Sequence, residues 1–130
     1  MIYLDTSALV KLVFEEPESE ALARWLAERS NVSKISSELS TIELLRVCRR
    51  RDKNTVTVAR QLLAGIDLLS ITSDIVEQAA LIDPAMLRSL DAIHLASALS
   101  LSGDLTVFVA YDTRLSTAAT DAGIKVATPT

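Results

Sequence analysis

The sequence predicts an α/β protein, an open, mainly parallel sheet flanked by helices on both faces. Two observations lead to it. Short apolar runs of strand length alternate with longer amphipathic segments along the whole chain, and hydroxyl or acidic residues stand ahead of the amphipathic segments as helix caps. The run LTVFVA at residues 105–110 is almost continuously apolar, which suits a strand covered on both sides rather than one with a wet face.

The elements follow in order. Ile2, Tyr3 and Leu4 form a short buried strand, and Thr6 and Ser7 offer N-cap hydroxyls to a helix over residues 8–13. Pro17 opens a second helix, with Ala21, Leu22, Trp25 and Leu26 on one stripe, that ends near Ser30 and Asn31. Residues 32–36 make a second strand; Ser36, Ser37 and Glu38 then cap a third helix that runs to about Arg51. A helix over residues 54–64 ends at Gly65, and residues 68–71 form a strand. Asp74 and Glu77 have the spacing of a capping box. After the Asp83-Pro84 turn, Ser89 caps an apolar helix over residues 90–101 that stops at Gly103. Residues 105–110 form the clearest strand, residues 112–122 a last helix closed by Gly123, and residues 124–126 an edge strand.

With 130 residues the chain has the length of one domain, residues 1–130, able to bury roughly 68% of its unfolded surface. Hydrophobic residues at 49% and charged residues at 23% describe a globular protein rather than a disordered one. No apolar run approaches the roughly 20 residues that cross a bilayer, and Asp5 stands where a signal peptide would be basic, so the expected location is cytoplasmic, with no membrane partner. Cys48 is alone, has no partner for a disulfide or a zinc site, and reads as an apolar filler in a reducing compartment. The net charge of −4 excludes nucleic-acid binding through a global positive field, and Tyr3, Phe14, Trp25, Phe108 and Tyr111 are too few for a base-stacking platform.

Four acids stand out by position. Asp5 and Asp112 each follow an apolar strand, at the carboxyl end, where open parallel sheets place their functional crevice. The plainer reading of each is a helix cap or first-turn acid. Glu43 lies in mid-helix on the stripe of Leu39, Val47 and Arg50, away from Glu38; a salt bridge to Arg46 or Arg50 is its structural alternative. Asp91 sits in the first turn of a buried helix, where the dipole alone favours it by about 0.3–1 kcal/mol. His94, three residues on, reads as a group that orients its neighbours rather than a ligand. Together Asp5, Glu43, Asp91 and Asp112 offer carboxylate oxygens without cysteine or a histidine cluster, the donor set of a hard ion such as Mg²⁺ or Mn²⁺. Arg46, Arg49, Arg50, Arg51 and Lys53 make the one dense basic run; Arg46, Arg50 and Arg51 are candidates for holding phosphates, and a solvated helix end favoured by the dipole is the equal alternative.

Four stretches, IYLDTSALV, ISSELSTIELLRV, LRSLDAIHLASAL and VFVAYDTRLSTAATDAGIKV, together resemble the PIN-domain ribonucleases, and within them the VapC-like toxins of prokaryotic toxin–antitoxin pairs. The resemblance covers the whole chain. It implies an open parallel sheet with an acidic pocket for Mg²⁺ or Mn²⁺, formed by Asp5, Glu43, Asp91 and Asp112, with Thr6 or Ser7 as the hydroxyl beside the first acid. It also implies metal-assisted hydrolysis of RNA, a homodimer, and a VapB-like antitoxin whose tail blocks the site. The readings that compete are a phosphoacceptor receiver, which wants a second acid near Asp5; a dehalogenase-type phosphatase, which needs an acid where Ser7 stands; and a non-catalytic PIN fold that acts through a partner.

Overall fold

The computed structural model describes all residues from Met1 to Thr130. Its five strands are β1 (Ile2–Leu4), β2 (Lys34–Ser37), β3 (Asp67–Leu69), β4 (Val107–Val109) and β5 (Val126–Ala127). Its seven helices are α1 (Thr6–Val13), α2 (Ser19–Ala27), α3 (Leu39–Arg51), α4 (Val56–Ala64), α5 (Ser73–Leu81), α6 (Ser89–Leu99) and α7 (Thr113–Asp121). The strands form one sheet in the order β3-β2-β1-β4-β5, and every pairing is parallel. The chain winds outward from β1 to β3, then returns to add β4 and β5 on the other side. The reversal lies between β1 and β4, and the crevice outside the carboxyl ends of those two strands is where such sheets bind ligands.

Alternation along β1 divides the core in two. Ile2 and Leu4 face one side and pack, with Val107 and Val109, against Ala8, Leu9, Leu22, Leu44, Cys48 and Leu63 of α1 to α4. Tyr3 faces the other side, with Ile35, Phe108 and Ala110, against Leu95, Ala98, Leu115 and Ala118 of α6 and α7. Helices thus cover both faces, as the apolar run around β4 requires. Each fully buried leucine here contributes about 1.5–3 kcal/mol. No helix is long and apolar enough to cross a membrane.

Several boundaries differ from the sequence-based expectation, mostly because caps are decided by side-chain reach. The cap of α1 is Asp5, whose carboxylate accepts from the Ser7 amide at 3.1 Å, so the helix begins at Thr6 and not at Ala8. At α5 the capping group is Thr72, accepting from the Ile75 amide at 3.3 Å, two residues ahead of the expected Asp74 and Glu77 box. Ser89 is the first residue of α6 and caps nothing; Arg88 occupies the cap position with no side-chain bond. The expected helix over 54–64 is divided: Asp52 caps a short 3₁₀ turn, Lys53–Thr55, ahead of α4. Pro17 lies in the turn before α2, which starts two residues later and ends at Ala27. The strands are shorter than the apolar runs that contain them, since an apolar residue can be buried past the last ladder bond. Of the three expected glycine stops, Gly123 uses a left-handed φ of 88°, Gly65 closes α4 at an ordinary φ of −91°, and Gly103 stops nothing, since α6 ends at Leu99 and Gly103 lies in the 3₁₀ turn Ser102–Asp104 that follows.

Candidate active site

The carboxyl ends of β1 and β4 meet at a bond from the Asp5 amide to the Val109 carbonyl, 3.0 Å, which carries the ladder one residue past the strands. Asp5 is thereby delivered by a rigid β1 and is only 5% exposed. Its Oδ2 accepts from the Ser7 amide and from the Ser7 hydroxyl at 2.7 Å. Ser7 Oγ in turn accepts from the Tyr111 amide at 3.0 Å, so one hydroxyl ties the end of β1 to the segment that leads into Asp112. Lys11, the nearest base in sequence, does not serve Asp5. It pairs with Glu16 and Glu18 at 3.3 and 2.8 Å and lies 4.7 Å over the Tyr111 ring.

Glu43 comes from the second turn of α3. Its partners are neither Arg46 nor Arg50. Oε1 accepts from the Thr6 hydroxyl at 2.7 Å and faces His94 Nε2 at 2.6 Å. Behind Thr6 runs a buried line of hydroxyls: Thr6 to Ser40 at 3.0 Å, Ser40 to Ser36 at 2.7 Å, and Ser36 donating to the Leu4 carbonyl at 2.6 Å. Burial pushes the Glu43 carboxyl up, but hydrogen bonds from His94 and Thr6 outweigh it and hold the group below its usual range. Glu38, on the other side of α3, accepts from the Ile71 amide at 2.7 Å and plays no part in the basin.

His94 is 1% exposed and stands between two acids, with Nε2 at 2.6 Å from Glu43 and 3.7 Å from Asp5 Oδ1. Burial alone would lower its pKa; the Glu43 hydrogen bond and the charges of Asp5, Glu43 and Asp91 raise it on balance. His94 is thus in hydrogen-bond contact with Glu43. Its other nitrogen, Nδ1, lies 2.8 Å from the Tyr3 hydroxyl. Tyr3, Ser36 and Ser40 bond to this network but are not singled out by the sequence, because Tyr3 reads as a strand residue, Ser36 as a strand end or cap, and Ser40 as one more residue of the third helix. The signal available was weak: a tyrosine two residues before Asp5 shares its face of β1.

Asp91 and Asp112 complete the basin from the other side. Asp112 caps α7 by accepting from the Leu115 amide at 2.9 Å and is exposed. Asp91, half-buried in the first turn of α6, accepts no hydrogen bond; burial, and then the charges of Asp5, Asp112 and Glu43, push its carboxyl above the usual range. The four acids therefore sense one another, and arginine and lysine pair with none of them. No three Asp, Glu, His or Cys side chains are drawn close enough to form a finished metal cage. The donor set nevertheless fits a hard divalent ion: carboxylate oxygens converge from β1, α3, α6 and the end of β4, with mutual repulsion that a cation relieves.

The basic run is less uniform than its sequence. Arg51 is engaged: it lies 3.1 Å from Glu16 and 4.0 Å over the Phe14 ring. Arg46, Arg49 and Arg50 are exposed and free of ion pairs, Arg46 one turn from Glu43.

Residues 2–121 match the PIN domain family. The chain is 45% identical over 132 residues to Ribonuclease VapC47 of Mycobacterium tuberculosis, covering 99% of this chain and 97% of that one. Among solved structures it resembles VapC20 of the same species, described as a sarcin–ricin loop cleaving toxin, with a TM-score of 0.79 at 20% identity over 99% of this chain and all of that one. It also resembles a toxin–antitoxin complex from Klebsiella pneumoniae, TM-score 0.73 at 23% identity, covering 100% and 98%. With the acids of the basin standing at the carboxyl ends of a parallel sheet of this order, the chain belongs to the PIN-domain family, as one of its VapC ribonucleases.

Proposed function

We propose that this chain is a divalent-metal-dependent endoribonuclease that acts as the toxin of a VapBC-like pair, with Asp5, Glu43, Asp91 and Asp112 as its site. The observation that supports this most is the convergence of four carboxylates, unpaired with any arginine or lysine, at the reversal point of the sheet. These four would hold Mg²⁺ or Mn²⁺. When bound, such an ion lowers the pKa of water, polarises the phosphoryl oxygen and offsets charge on the leaving 3′ oxygen. The chain's own residues set the geometry for this. Ser7 fixes Asp5, Thr6 and His94 fix Glu43, and the second oxygen of Glu43 is free of protein donors and able to orient a water. Asp91 and Asp112 close the basin with carboxylates that make few bonds to the protein and can adjust to what binds.

Arg46 and Arg50, exposed beyond Glu43 on α3, would take RNA phosphates; Arg51, held by Glu16 and Phe14, would not. The reading carries with it a cytoplasmic location, a homodimer and a VapB-like antitoxin whose tail covers the basin. The test is a pair of variants. Asp5→Asn and Asp91→Asn should abolish Mg²⁺-dependent RNA cleavage and growth inhibition while the circular dichroism spectrum stays unchanged. Undiminished cleavage in both would overturn the assignment of the site to these acids, whereas wild-type protein that cleaves no RNA would leave the non-catalytic reading in its place.

A further inference from the structure

In sequence Tyr3 is one more apolar residue of a buried strand. In the fold it carries a buried polar group aimed at His94. Its ring is fully buried, stacked on Phe108 at 5.2 Å with an interplanar angle of 8° and edge-on to His94 at 6.0 Å. Its hydroxyl lies 2.8 Å from His94 Nδ1, with the Ser36 and Ser97 hydroxyls also beside it. The nearby serines direct their own protons elsewhere, Ser36 to the Leu4 carbonyl and Ser97 to the Ile93 carbonyl.

A neutral imidazole has one N–H and one bare nitrogen, and whichever role one nitrogen takes the other takes the opposite. If Nδ1 of the neutral ring carried the hydrogen, a bare Nε2 would face Glu43 Oε1 at 2.6 Å, lone pair against carboxylate. If Tyr3 donates to Nδ1, that conflict vanishes. The hydrogen then sits on Nε2, aimed at Glu43 Oε1, and the same oxygen also accepts from Thr6 at 2.7 Å.

We propose that Tyr3 is a positioning residue of the nuclease site: the Tyr3 hydroxyl donates to His94 Nδ1, which makes Nε2 the donor that holds Glu43 Oε1 and leaves Glu43 Oε2 for the reaction. The line Tyr3, His94, Glu43 joins β1, α6 and α3, so one buried hydroxyl sets the orientation of a carboxylate on another element. Its kinetic consequence rests on the ribonuclease reading; its structural content does not.

His94 is the one histidine of the chain, so protein labelled with ¹⁵N-histidine reports a single imidazole without assignment. Spectra are recorded on the whole protein as pH is raised, with and without Mg²⁺. The expected neutral ring has a bare, hydrogen-bonded Nδ1 and a protonated Nε2. A neutral ring protonated on Nδ1, or a ring doubly protonated at every pH where RNA is cleaved, would overturn the proposal. In Tyr3→Phe, which keeps the stack on Phe108, the Nδ1 resonance should move to that of a nitrogen without a donor. Cleavage should lose about 10-fold in kcat with KM for RNA unchanged, the scale of losing a group that orients a ligand. An unmoved Nδ1 resonance, an unchanged kcat, or a loss confined to KM would each overturn it. If the variant does not fold, the wild-type spectrum still decides. Wild-type protein that cleaves no RNA with Mg²⁺ or Mn²⁺ would remove the nuclease reading, whereas active protein with Nδ1 protonated in the neutral ring would remove the Tyr3 relay alone.

Discussion

Asp5 and Glu43 reach the basin with oxygens already engaged, by Ser7 in one case and by Thr6 and His94 in the other, whereas Asp112 makes only its helix-cap bond and Asp91 accepts none. The difference follows from location. The first pair lies where β1, α1, α3 and α6 converge and water is scarce, so each carboxylate takes protein donors on one oxygen to offset part of its lost hydration. Asp112 lies in solvent, where water does that work, and half-buried Asp91 is left partly dehydrated with no protein donor. One half of the basin is thus fixed before anything binds, and the other half is free to adapt. Preorganisation on the fixed side lowers the cost of orienting groups at the moment of reaction.

Variants on the two sides should behave differently. The largest effect is expected from Asp5→Asn, which keeps an acceptor for the Ser7 amide but removes the charge. Cleavage should fall by about 100-fold or more, since groups that merely orient a ligand already account for about 10–100-fold; an RNA cleavage assay at saturating Mg²⁺ measures it. Next is Thr6→Val, which removes the hydroxyl from Glu43 without changing the shape of the side chain. Activity should fall about 10-fold, and chemical denaturation should show a loss of about 1 kcal/mol for the hydrogen bond. A Thr6→Val protein as active and stable as wild type would mean that Glu43 is not held from α1.

On the open side the sign reverses. Burial, and then the charges of Asp5, Asp112 and Glu43, raise the folded pKa of Asp91 above the ordinary 3.8, so its ionised form destabilises the metal-free fold. Asp91→Asn should therefore raise the metal-free Tm near neutral pH. That advantage should shrink as pH falls through the raised pKa and vanish below 3.8, where aspartate is protonated in folded and unfolded chains alike. Mg²⁺ should raise the Tm of wild type more than that of the variant. A lower Tm for Asp91→Asn at neutral pH would show that Asp91 serves α6 as a dipole-favoured acid and not the basin.

The smallest effects concern the basic end of α3. The double variant Arg46→Ala/Arg50→Ala should weaken RNA binding and reduce the slope of log affinity against log salt by about 1.4, at about 0.7 for each phosphate no longer neutralised. Arg51→Ala should leave that slope unchanged and cost less than about 1 kcal/mol, because its pair with Glu16 is largely at the surface. Equal slopes for wild type and the double variant would assign the whole run to the helix dipole.

Much of the site is legible without the fold. Asp5 and Asp112 are readable because a charge directly after an apolar strand has few places to go in a parallel sheet, and Glu43 because a mid-helix acid among leucines is difficult to solvate. Their partners are not legible. His94 is 51 residues from Glu43 and 91 from Tyr3, and no periodicity links a strand residue to a helix so far away. The cap shifts at Asp5, Thr72 and Arg88 have a similar origin: several hydroxyl or acidic side chains are within reach of each helix start, and small differences in φ and ψ select one.

Local order follows from the amino-acid sequence unaided: apolar runs of strand length, amphipathic stretches, and acids at the junctions between them. Alternation of side chains along β1 already separates Ile2 and Leu4 from Tyr3 and Asp5. Packing in three dimensions selects which strands are neighbours, and with that which acids meet. The order β3-β2-β1-β4-β5 sets β1 beside β4 across a gap of about a hundred residues, and only long-range burial of both faces selects that pairing. The same packing makes Tyr3, apolar in every local respect, end in a buried hydroxyl 2.8 Å from the imidazole that holds Glu43, because a polar atom shut away from water takes a partner left within its reach.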